Sequence, residues 1–178
     1  MSISDLRITG EDQLKRKFVL PKKILWAGDG VTNGEFLLNS NISQVYVGMP
    51  EVTTLSNQNG KKGALLLDFG SEIVGSIEFI VSGGISNTQG VKLHIRFGES
   101  VSEAMTPISE KNATNAHAVR DMTVLLTAYS QQTFAYTGYR FVYLELEEEE
   151  SRVDIGAVRG IFTCRDIPRI GTFECDNQ

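Results

Sequence analysis

The sequence predicts an all-β protein built as an antiparallel β-sandwich or jelly roll. Three observations carry that reading. Apolar residues recur at every second position in several segments, turn residues separate those segments at intervals near ten, and no stretch holds a sustained helical period. The clearest alternation is Val91 to Phe97, where Val91, Leu93, Ile95 and Phe97 share one face and Lys92, His94 and Arg96 the other, as a half-buried strand requires.

Taken in chain order, residues 1–63 read as an N-terminal extension with short strands, packed on a sandwich formed by residues 64–178. Leu14, Phe18, Val19 and Leu20 suit a short strand or a pairing with a neighbouring domain. Ile24-Leu25-Trp26 stands between Pro21 and the run Gly28-Asp29-Gly30, and Asn59-Gly60 marks a turn. Leu65 to Phe69 reads as a fully buried strand. Gly75 to Ser82 follows, with Ile77, Phe79 and Val81 opposite Ser76 and Glu78, and Ser82-Gly83-Gly84 is expected to turn. Residues 100–120 interrupt the pattern and read as a long surface loop holding one helical turn. Beyond it, Asp121 to Tyr129 sets Met122, Val124 and Leu126 on one side. Gly138 marks a turn, and Phe141 to Glu147 alternates Val142, Leu144 and Leu146 with Tyr143, Glu145 and Glu147. Val153 to Cys164 is a last long strand.

At 178 residues, with 41% apolar and 22% charged positions, the chain has enough hydrophobic material for a single sizeable core. A net charge of −5 with no basic stripe argues against a nucleic-acid partner, because affinity for phosphate backbones comes largely from Lys and Arg. No stretch approaches the roughly 18 apolar residues of a membrane span, and the first ten residues lack an apolar signal core, so no membrane partner is expected and localisation stays open. Cys164 and Cys175 lack the spacing and the His partners of a zinc site and read as two thiols or as one disulfide. No cofactor and no metal site is expected. The acidic run from Glu145 to Glu150 reads as a solvated turn, since consecutive side chains leave a strand in alternating directions and do not converge on one ion.

Glycoside hydrolysis needs two carboxylates across a sugar-sized gap. Asp68, Glu99, Glu103 and Asp121 stand near strand ends, but no spacing among them selects a pair, and no catalytic residue is assigned. Arg120 beside Asp121, and Arg140 beside Tyr139, suit structural ion pairs that lock neighbouring strands. Trp26, Tyr136 and Tyr139 are the candidates for stacking against a sugar, with burial as the competing role of any aromatic residue in a sandwich.

Five ordered blocks carry a family resemblance. They are Leu67-Asp68-Phe69-Gly70 with Val74-Gly75; Ile95 through Met105; Ala113 through Asp121; Tyr136-Thr137-Gly138-Tyr139-Arg140-Phe141-Val142; and Arg165-Asp166-Ile167-Pro168 with Gly171-Thr172-Phe173-Glu174-Cys175. Together they resemble the β-sandwich that precedes the catalytic barrel of bacterial α-L-rhamnosidases, glycoside hydrolase family 78. The resemblance implies a galactose-binding-like or concanavalin-like sandwich that stops before the barrel. It also implies a parent enzyme whose (α/α)6 barrel holds the acid and base carboxylates, inverts configuration and releases L-rhamnose from glycans. No catalytic residue of that family maps onto this sequence. What carries over is a structural signature of Asp68, Gly70, Glu99, Asp121, Gly138 and Arg140, in which Gly70 and Gly138 would permit turn conformations and Arg140 would reach Glu99 or Asp121. The expected role is a non-catalytic accessory domain whose partners are the barrel of its own parent and rhamnose-containing glycans. An independent carbohydrate-binding module is the second reading, and a stand-alone hydrolase the third.

Overall fold

The computed structural model describes residues 14–108, 110, 119–165, 171, 172 and 174. His117, residues 113–118 and most of the closing block from Asp166 to Cys175 lie outside the described residues, and so does any pairing of Cys175 with Cys164.

Among the described residues nine strands and one short α-helix follow in order: β1 Leu14–Val19, β2 Lys23–Ala27, β3 Val31–Thr32, β4 Thr53–Ser56, β5 Ala64–Ile85, β6 Val91–Gly98, α1 Val101–Met105, β7 Asp121–Leu126, β8 Ser130–Leu146 and β9 Arg152–Arg165, with 3-10 turns at Gly34–Leu38 and Gln58–Gly60. Every pairing is antiparallel, in the order β3-β4-β9-β5-β8-β6-β7, with β1 added to β9 and β2 to β5.

The two longest strands serve both layers. The first part of β5, Ala64 to Asp68, pairs with Glu145 to Phe141 of β8, and that part of β8 continues to β6 and β7. The later part of β5 pairs with Ser130 to Phe134 of β8 on one side and with β9 on the other. Register shifts between Asp68 and Ile73, and again between Gly75 and Ile77, mark where β5 turns the corner from one layer to the next. Leu65, Leu67, Leu93, Ile95, Val142 and Leu144 from the first layer share one buried cluster with Ile77, Phe79, Val153, Ile155 and Val158 from the second, so the layers face each other across a common core. The sandwich predicted from the alternation is therefore the observed fold.

Two outer faces are also partly buried, which explains the runs that do not alternate. Ala64, Leu66, Phe141 and Tyr143 pack beneath Ala104 of α1 on one layer. Ile80 and Ala157 pack against Ile42 with Phe36, Val45 and Met49 on the other. This is why Ala64 to Phe69 is buried throughout.

Three expectations need correction. Ser82-Gly83-Gly84 does not turn but continues β5 to Ile85. Its glycines serve close approach: a Cβ at Gly83 would fall 2.1 Å from the Tyr129 hydroxyl, and one at Gly84 would fall 1.8 Å from an Asp154 carboxylate oxygen. Gly138 is likewise no turn; it sits inside β8 opposite Val74, and the positive φ nearby belongs to Ala135, at 60°. Arg96, read on a polar face, is buried, because α1 folds over it: its Nε donates to the Ala104 carbonyl at 3.1 Å and its guanidinium lies 4.6 Å from the Tyr143 ring centre.

Candidate functional site

Four of the six signature residues meet at the corner where β5 and β8 change layers. Asp68 pairs with Arg140 through two parallel bonds, Nε to Oδ1 at 2.8 Å and Nη2 to Oδ2 at 3.0 Å. Arg140 thus reaches neither Glu99 nor Asp121, because the register sets Phe141 opposite Asp68 and so carries its neighbour Arg140 to that carboxylate. The Gly70 N–H donates to Asp68 Oδ1 at 2.7 Å, with Gly70 at φ 84°, the left-handed region that glycine enters freely. The Arg140 guanidinium holds the Asp68 carboxyl below its ordinary range, and burial opposes it only in part. The same guanidinium lies 4.8 Å from the Phe141 ring centre.

Tyr139 is withdrawn as a sugar contact. It is fully buried, edge-on to Phe69 at 5.5 Å, and its hydroxyl donates to the Ser76 carbonyl at 3.0 Å. Burial pushes its phenol far above the ordinary value. Tyr136, three residues earlier, is 57% exposed at the same corner, and Trp26 is 40% exposed on the outer face of β2.

Asp121 and Glu99 lie elsewhere. Asp121 bonds to His94 Nε2 across the β6–β7 pair and accepts from the Ile108 N–H at 3.4 Å. Glu103 reaches Arg120 at 3.2 Å and accepts from the Glu99 N–H at 2.8 Å, closing the cap of α1, while Glu99 itself is exposed. The expected pairing of Arg120 with Asp121 is thereby replaced by Arg120 with Glu103. Three of the four candidate carboxylates are each tied to a cationic or imidazole partner that serves the fold.

A cleft of about 430 Å³ is lined by Asn57, Gly60, Lys61, Lys62, Glu145, Glu149 and Glu150. Lys62 Nζ lies 2.8 Å from Glu145 and 5.7 Å from the Trp26 ring centre, and the Tyr143 hydroxyl donates to Glu145 at 2.8 Å. Burial pushes the Glu145 carboxyl up, but the hydrogen bonds from Lys62 and Tyr143 outweigh it and leave it below its usual value. An aromatic face beside mixed donors and acceptors suits a polyhydroxylated ligand. Among the described residues no group of three or more His, Cys, Asp or Glu is placed to hold a metal ion, and no helix is long and apolar enough to cross a membrane.

Sequence reasoning missed a buried ion pair. Arg159 Nε lies 2.5 Å from Glu78 Oε1, Gln131 and Thr133 also donate to Glu78, and Phe18 stacks over Arg159 at 3.8 Å. The available signal was a charged residue recurring between apolar neighbours in two long strands.

The described residues form an antiparallel β-sandwich domain. The chain matches the family described as the bacterial alpha-L-rhamnosidase concanavalin-like domain over residues 58–162, more than half its length, and it belongs to that family. Its fold is similar to a rhamnosidase from Klebsiella oxytoca solved with rhamnose bound (TM-score 0.54, 15% identity, 84% of this chain and 29% of that one). It is similar also to a family 78 rhamnosidase of Bacillus sp. GL1 (TM-score 0.54, 16% identity, 79% of this chain and 13% of that one). A fucose-binding module from Streptococcus pneumoniae shares the fold as well (TM-score 0.50, 12% identity, 81% of this chain and 92% of that one). The chain thus spans less than a third of each of the two solved rhamnosidases. No curated protein matches it.

Proposed function

We propose that this chain is the non-catalytic accessory sandwich of an α-L-rhamnosidase, packing against the enzyme's (α/α)6 barrel and shaping the approach of rhamnose-containing glycans. Residues 64–178 form the sandwich unit in this reading, and the strands before residue 64 are added to it. The observation that carries the proposal is the engagement of the candidate carboxylates: Asp68 is held by Arg140, Asp121 by His94 and Glu103 by Arg120. A hydrolase of this class needs one carboxylate to donate a proton and a second to activate water, both facing the sugar. The engagement of Asp68, Asp121 and Glu103 within the fold supports placing the acid and base in the barrel.

The cleft, whose Lys62 also lies over the Trp26 ring, favours a second reading, an independent carbohydrate-binding module, and the shared fold of the pneumococcal module is in keeping with it. Titration calorimetry of the 178-residue chain with L-rhamnose separates the two. The accessory-domain reading expects no heat of binding at millimolar sugar. Saturable binding that Trp26→Ala abolishes would establish the module instead.

A further inference from the structure

We propose that the cleft between the Gln58–Gly60 turn and residues 147–151 is a holding site for uncharged, fully hydroxylated sugars of the glycan chain that carries the rhamnose, an inference that rests on the accessory role proposed above. The cleft measures about 430 Å³, within the roughly 300–1,000 Å³ of small-molecule sites, which suits a short stretch of oligosaccharide.

The motif Gly28-Asp29-Gly30, between β2 and β3, grips the main chain of Lys62. Asp29 Oδ1 accepts from the Lys62 N–H at 2.8 Å, and the Gly30 N–H donates to the Lys62 carbonyl at 3.0 Å. Both glycines are needed for that approach. A Cβ at Gly28 would fall 2.1 Å from the Lys62 carbonyl oxygen, and one at Gly30 2.8 Å from the Lys62 carbonyl carbon. Beside Lys62, the Gly63 N–H donates to Asn57 Oδ1 at 2.7 Å, and Asn57 Nδ2 donates to the carbonyls of Leu146 and Glu148. Asn57 thus ties together the two turns that wall the cleft.

The Lys62 side chain that this framework positions is 49% exposed, and Trp26, whose ring centre lies 5.7 Å from its ammonium, is 40% exposed. An ion pair so open to water adds little to stability. A ligand that meets an ammonium already fixed in place gains from the fixing, because it orders less on binding.

The chemistry of the cleft selects the class of ligand. Lys62 and Glu145 neutralise each other at 2.8 Å, and the Tyr143 hydroxyl donates to the second Glu145 oxygen, which leaves ammonium hydrogens and carboxylate lone pairs for sugar hydroxyls. A neutral ligand therefore meets strong donors and acceptors without confronting an unpaired charge at this pair. Among the other charged residues of the lining, Glu149 and Glu150 outnumber Lys61, which disfavours a carboxylated sugar. Among the described residues no apolar side chain lines the cleft, so the methyl group of L-rhamnose finds no counterpart there, whereas the hydroxymethyl group of a hexose finds donors and acceptors.

The test is a titration of the 178-residue chain, followed by calorimetry and by the fluorescence of its single tryptophan, Trp26. The probes are neutral trisaccharides of glucose, galactose and mannose, with trigalacturonate and L-rhamnose beside them. At least one neutral trisaccharide should bind saturably at millimolar concentration, and trigalacturonate and L-rhamnose should not. Lys62→Met and Glu145→Gln should each weaken that binding about tenfold, and both should leave the unfolding midpoint nearly unchanged, because the pair is open to water. Silence from all three neutral trisaccharides, binding that both variants retain in full, or equal binding of trigalacturonate overturns the inference and leaves the accessory role standing. Saturable binding of L-rhamnose with no binding of the trisaccharides overturns the inference and the accessory role together.

Discussion

Asp68 and Arg140 lie 72 positions apart and meet because β5 and β8 pair. The Asp68 carboxyl is lowered by its bond to Arg140, so its contribution to stability is present above the unfolded carboxylate value of about 3.9 and is lost as pH falls through the folded value below it. Asp68→Asn should therefore cost about 1–2 kcal/mol at pH 7, the magnitude being held down by the 41% exposure of Arg140. The gap between variant and parent should narrow as pH falls below about 4. Urea unfolding of both proteins across that range checks the prediction; a gap that stays constant with pH would mean that the carboxylate charge is not the source. Alternation alone did not reveal this pair, because Arg140 had two other carboxylates within plausible reach and only the register decides between them. Tyr139 was misread for a similar reason: an aromatic residue beside a glycine suits surface and core equally until the Phe69 packing is seen.

At the scale of elements, Glu78 of β5 and Arg159 of β9 form an ion pair that is nearly inaccessible to solvent, with side chains 6% and 8% exposed. Removing one partner strands the other charge, so Arg159→Met should destabilise by roughly 3–5 kcal/mol. Replacing both by Met should recover most of that loss, since a buried pair is often matched by apolar packing of similar volume. A double-mutant cycle by chemical unfolding reads both values, and equal losses for the single and double variants would contradict this role. The same network explains which strands were legible. β6, β7 and the stretch Val142 to Leu146 of β8 alternate in sequence, because one face meets the core and the other meets water or a thin cover, whereas β9 is buried on both faces from Val153 to Gly160. The stretch Ser130 to Thr133 of β8 is polar, and Gln131 and Thr133 spend that polarity on Glu78, so no hydrophobic period announces a strand there. Gly83 and Gly84 imitate a turn for a comparable reason, a demand for space and not for unusual φ.

At the scale of the whole molecule, class and family were legible where blocks of sequence and strand register coincide: the family match spans residues 58–162, from the turn before β5 into the last strand. Which aromatic residues stay exposed was not legible, because that is a question of three-dimensional contact: Tyr139 is buried against Phe69 while Tyr136 remains exposed. The account holds that sugar cleavage belongs to a part of the enzyme other than this sandwich. The most direct measurement is release of the aryl group from an aryl α-L-rhamnoside by the purified 178-residue chain. The account predicts no release above the buffer rate at any pH between about 4 and 8, the range in which paired glycosidase carboxylates operate. Steady turnover that disappears with Glu99→Gln or Asp121→Asn would contradict it and place the chemistry in this chain.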